Sequence, residues 1–188
     1  MLTQKELSLD KTTSLDFNLS KSIEILQRTP DTLFALLLNI SSDWTSANEG
    51  GDSWSVHDII GHLIHGERTD WIPRIEIILS ESKDKTFASF DRFAQFEESK
   101  GKTIAALLAE FKSVREKNLK HLQTLHLTKN DFTRKGIHTA FGEVTLAQLI
   151  ATWTVHDLNH LAQISRVMAK QYKTETGPWI EYLPILKQ

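Results

Sequence analysis

The sequence predicts an all-α fold, a four-helix bundle with one long crossover connection. Three observations carry the expectation. Four segments place apolar residues at helical spacing, three of their starts carry capping patterns, and one long polar and aromatic stretch separates the second segment from the third. Bundles of this kind commonly hold metal sites built from facing helices.

The first helical region begins near Ser20 and is expected to bend or restart at Thr29-Pro30, where Thr29 can cap and Pro30 suits the first helical position. Leu33, Phe34, Leu36, Leu37 and Ile40 form its expected buried side, and a loop from Ser41 to Ser53 with Gly50 and Gly51 ends it. Ser55 and Asp58 open the second helix as a capping box ahead of Ile59, Ile60, Leu63 and Ile64. Pro73 removes a backbone donor inside the same segment, so a kink is expected before the helix resumes to about Leu79. The connection that follows carries Phe87, Phe90, Phe93 and Phe96. A third helix spans about Thr103 to Leu125, with Leu107, Leu108, Phe111, Leu119 and Leu122 on its apolar stripe. Residues 131–145 hold turn glycines and lack a helical period, which fits a loop or a minimal hairpin. Thr145 and Gln148 then cap a fourth helix that runs to about Tyr172.

With 188 residues, 40% of them hydrophobic and 24% charged, the chain suits one domain, residues 1–188, of which residues 1–18 read as a flexible leader. A net charge of −2 offers no basic surface for nucleic acid or an anionic membrane. No apolar run approaches the roughly 20 residues of a membrane span, and the N-terminus lacks a secretory pattern. The absence of cysteine excludes disulfides, thiolate ligands and a thiol nucleophile, and suits a cytoplasmic protein. It leaves His, Asp and Glu as the strong ligands.

Histidine is where chemistry concentrates. His156 and His160 stand four apart on the fourth helix and can direct both imidazoles at one point, at the flank of an apolar stripe beside Leu149 and Trp153. With eight histidines, such a pair arises by chance in roughly a third of sequences this long, so boundary histidines bonded to water and neighbours fit equally. A third donor decides between the two readings, because zinc-like ions need three or four. His62 on the second helix is the best candidate, since Gly66 one turn on leaves room above its ring. His65 points away from the apolar stripe and reads as solvated, while His121, His126 and His138 show no ligand spacing. Asp157 falls near the middle of the apolar face and requires a buried partner that the sequence does not name.

WSVHDIIGHLIHGE, WIPR, TFASFDRFA and FGEVTLAQLIATWTVHDLNHLAQI, in that order and separation, resemble the DinB/YfiT-like superfamily of small metal-binding four-helix bundles, from about Thr29 to Met168. In that family one histidine of an HL pair and two of an H-x-x-x-H bind one divalent metal ion, which implies His62, His156 and His160 as ligands. Zinc or nickel would be the foremost ions, with iron or manganese as further options. Some members are S-transferases or isomerases that use low-molecular-weight thiols. The resemblance thus implies a metal-dependent transferase, with hydrolysis a lesser option, acting on a small-molecule substrate with a thiol as cosubstrate. A non-catalytic metal-binding or stress-response interaction module is the alternative, and a homodimer fits either reading. Gly66, Trp153 and Gln163 can face the space beside the ion and are the expected substrate-binding residues. Imidazoles near their ordinary pKa of about 6.5 would release the ion as the pH falls through about 6.

Overall fold

Packing of four amphipathic stripes gives a helical bundle, seen in a computed structural model that describes residues 17–188. Most of the expected leader lies outside the described residues. Its last two positions do not: Asn18 caps the first helix, its side chain accepting from the Lys21 amide at 3.2 Å, and Phe17 packs edge-on against Phe132.

Helix α1 spans Leu19–Leu37 without a restart. Thr29 does not cap; its hydroxyl donates back to the Ile25 carbonyl, and Pro30 sits inside the helix. A proline there leaves the carbonyl four residues earlier without its helical donor. That carbonyl is Leu26, and it accepts instead from the buried guanidinium of Arg115 at 2.8 Å. Leu36, expected inside, is exposed. The loop after α1 contains a short helix, α2 (Ser42–Ser46).

Helix α3 (Val56–Thr69) starts with the expected Ser55/Asp58 capping box. It gives way at Asp70 to α4 (Trp71–Leu79), in whose first turn Pro73 lies, where backbone donors have no partner within the helix. The aromatic connection includes α5 (Ala94–Ser99). Helix α6 (Ile104–Thr124) begins at its Thr103 cap. Strands β1 (Lys135–His138) and β2 (Gly142–Thr145) form an antiparallel hairpin in register Lys135 with Thr145 and His138 with Gly142. Helix α7 (Leu146–Lys170) follows directly from the Thr145/Gln148 capping box.

In the bundle α1 packs on α6 and α7, and α3 packs on the same two. The long crossover from α4 to α6 runs past the hairpin: the Phe87 amide donates to the Ile137 carbonyl and the Ile137 amide to the Lys85 carbonyl, both at 2.9 Å. Two apolar clusters fill the interior. One includes Leu33, Ile60, Leu107, Phe111 and Ile164; the other includes Leu26, Ile75, Leu119, Leu122, Ile150 and Trp153. The boundary between them is ionic. Arg115 sits one turn from Phe111 and one from Leu119, and it meets Glu67 of α3 and Asp157 of α7.

Candidate metal centre

Three imidazoles from two helices converge at one end of the interior. Helical periodicity puts His156 and His160 on one face of α7, and the packing of α3 against α7 brings His62 to them. The Nε2 atom of His156 lies 3.0 Å from that of His62 and 3.1 Å from that of His160, and the three donor atoms fit within 4.8 Å of one another. Aromatic rings close around them: Trp54 and Phe90 against His62, and Trp71 against His156.

Burial, ahead of the mutual repulsion of the rings, keeps these histidines neutral. It depresses His62 to about 3 and His156 to about 2, and lowers His160 as well, there partly opposed by Gln163. His160 Nδ1 lies 2.8 Å from the side-chain oxygen of Gln163. An amide oxygen only accepts, so Nδ1 carries the hydrogen and Nε2 presents a bare lone pair. A hydrogen on His156 Nε2 would then have to serve both neighbouring nitrogens at once. A cation between the rings would accept all three lone pairs, so this donor set fits a divalent metal of the kind that imidazole binds. The carboxylates that could have competed are committed elsewhere: Asp58 to its capping box, Glu67 and Asp157 to Arg115.

A cavity of about 290 Å³ opens beside His62 and His156. Gly66 lines it, as the sequence suggests. Trp153 does not: it is fully buried, stacks on Trp71 at 5.8 Å and donates its indole N–H to Glu67 at 2.8 Å, so Trp71 forms the wall in its place. Gln163 is likewise absent from the lining and acts on His160. His65 is a correction too. It is buried, not solvated, with Nδ1 3.1 Å from Glu98 and its ring against Phe90. His57 contacts the Lys102 carbonyl, His121 pairs with Glu76, and His138 joins the cavity wall.

Residues 25–164 match the family model described as the DinB superfamily. The chain belongs to that superfamily. Among solved structures it is similar to YfiT from Bacillus subtilis, with a TM-score of 0.69 and 20% sequence identity over 81% of this chain and 86% of that one. That protein's description reads "a probable metal-dependent hydrolase with an unusual four-helix bundle topology". No curated protein matches the sequence.

Two features of the site escaped the sequence reading. Asp157 finds its partner in Arg115, whose four-residue spacing from both Phe111 and Leu119 is the available signal that it lies on the buried stripe of α6. Trp54 and Phe90 reach His62 from loops, where no periodicity marks them.

Proposed function

We propose that His62, His156 and His160 hold one divalent cation, zinc or nickel foremost, and that the protein is a metal-dependent enzyme joining a small external thiol to an electrophile lodged in the adjoining cavity. The observation that supports this best is the convergence of three neutral imidazoles, through Nε2, at the edge of a cavity of small-molecule size. A bound divalent ion would supply Lewis acidity, lowering the pKa of a coordinated thiol or water toward neutrality.

The chain's own residues do the rest. Gln163 orients His160, and burial keeps the imidazoles unprotonated and ready to donate. Trp54, Trp71 and Phe90 wall the centre from bulk water. Gly66 keeps the cavity open above His62: a Cβ there would meet only the Trp71 indole nitrogen, at 3.4 Å, whereas a longer side chain would enter the space. The thiol must be external because the chain has no cysteine. With water in place of the thiol the same site would hydrolyse its substrate, in keeping with the description of YfiT as "a probable metal-dependent hydrolase".

Elemental analysis of the purified protein, then conjugation assays of small thiols with a panel of electrophiles with and without added metal, test the reading. The expected result is one ion per chain, metal-dependent thioether formation, and loss of both in the His62→Ala variant. Metal-dependent consumption of the electrophile at the same rate without thiol would assign hydrolysis. Stoichiometric metal with no turnover across the panel would assign the non-catalytic role, and unchanged metal binding by His62→Ala would overturn the ligand set.

A further inference from the structure

Two helical ridges frame the cavity. Along α3 and α4, His62, Gly66, Asp70 and Arg74 recur every four residues and all line it; along α7, Gln148, Thr152 and His156 do the same. His62 and His156 therefore occupy one end, and Asp70 and Arg74 lie two and three turns away toward the other. Between the ridges the walls are aromatic: Trp71, Phe87, Phe90 and, at the hairpin tip, His138 with Phe141 stacked on it at 4.4 Å.

The charges at the far end are already spent. Arg74 and Asp70 are both buried, they pair at 2.5 Å, and the guanidinium also lies over the Phe87 ring at 5.2 Å. Among the residues that line the cavity no other is an aspartate, glutamate, lysine or arginine. An incoming carboxylate or phosphate would lose its water and gain no free cation, with the Asp70 carboxylate close by. A flat apolar body meets none of these penalties, and an apolar cavity of about 150 Å³ already accommodates a benzene.

We infer that the cavity selects a flat aromatic molecule uncharged at the end remote from His62 and His156, and that the Asp70–Arg74 pair is the specificity determinant that excludes anions. As a statement about substrate this rests on the proposed metal centre; as a statement about binding it does not need the ion.

The test uses the full chain freed of metal by a chelator, at pH 7.5, with 2-naphthol and 2-naphthoate as matched neutral and anionic probes read by calorimetry and by quenching of tryptophan fluorescence. The wild type is expected to bind 2-naphthol at least about tenfold more tightly than 2-naphthoate. Asp70→Asn leaves Arg74 uncompensated and should reverse that order. Should this variant not fold, Thr152→Lys places an unpaired cation on the exposed flank of α7 at the same cavity and should raise 2-naphthoate affinity by about tenfold. Equal or tighter binding of 2-naphthoate by the wild type, no binding of 2-naphthol, or an unmoved ratio in the folded variants would overturn the inference. Failure of metal loading leaves these measurements intact, so the two readings fail separately.

Discussion

His160 differs from its two partners in having its outer nitrogen tied: Nδ1 meets Gln163, while the Nδ1 atoms of His62 and His156 are buried without a hydrogen-bond partner. Such outer contacts fix tautomer and ring orientation, and their loss typically costs about 10–100-fold in metal affinity. Gln163→Leu is therefore expected to weaken zinc binding by about tenfold in a competition titration, leaving helix content unchanged; undiminished affinity would remove the orienting role. Acid acts on the same rings. An unfolded histidine takes its proton near pH 6.5, but in the metal-free fold His62 does so only near 3. Between those values the unfolded chain binds more protons than the fold, so stability declines as the pH falls through 6.5 and goes on declining toward 3. The urea midpoint of chelated protein should drop steadily from pH 7 to pH 4, and more shallowly in His62→Phe. The same depression shifts the expectation set by ordinary imidazoles: a bound ion is expected to survive below pH 6, since burial disfavours protons on these nitrogens, and metal retention followed from pH 7 to pH 4 checks it. The close histidine pair on α7 was legible from its spacing and Asp157 from its misplaced charge, whereas burial of His65 was not, since its cover comes from Phe90 of the crossover loop and Glu98 of the short helix α5.

Among the elements, the hairpin and the crossover set the shape of the cavity. Gly136 lies under Phe87 so closely that an added Cβ would fall 2.4 Å from the ring. Phe87 in turn carries the Arg74 guanidinium and forms part of the cavity wall. Gly136→Ala should therefore destabilise the protein by about 1–3 kcal/mol through overpacking, seen as a lower denaturant midpoint, and should weaken 2-naphthol binding as the wall moves. A stability unchanged within error would mean that the crossover yields freely at this point. Helix starts were the most legible features of the chain, because a cap is a local device: Ser55 with Asp58, Thr103, and Thr145 with Gln148 open their helices as expected. Thr29 misleads for the converse reason. It carries the local cap-and-proline signal, and a donor from a distant helix overrides it.

At the scale of the whole molecule, one guanidinium gathers the helices. Arg115 of α6 donates to the Leu26 carbonyl of α1, to Glu67 of α3 at 2.8 Å and to both oxygens of Asp157 on α7 at 2.6 and 2.9 Å, while Trp153 and Asn118 complete the Glu67 carboxylate. Burial alone would lower the arginine's pKa, and the two carboxylates outweigh it and raise it. Removing one partner from such a cluster strands the others, at a typical cost of about 3–5 kcal/mol. Arg115→Met should lose stability on that scale in urea unfolding; a loss below about 1 kcal/mol would show that water or rearrangement satisfies the carboxylates. Sequence patterns mark each member as polar on an apolar stripe but cannot pair residues more than forty positions apart, so this part of the architecture becomes visible only in three dimensions.

The proline in α1 has a consequence for how the chain assembles. Because Pro30 leaves Leu26 without its local donor, the third contact of Arg115 is supplied by α1, and the charge is satisfied only when α1, α3, α6 and α7 are all in place. A partly assembled bundle would carry a dehydrated charge in its centre. Intermediates lacking any one helix are thereby disfavoured, and equilibrium unfolding should follow a single transition in which helical circular dichroism and tryptophan fluorescence coincide. In Pro30→Ala, the restored amide would compete for the Leu26 carbonyl and loosen the attachment of α1. The two signals should then separate, with amide hydrogens of α1 exchanging ahead of those in α6.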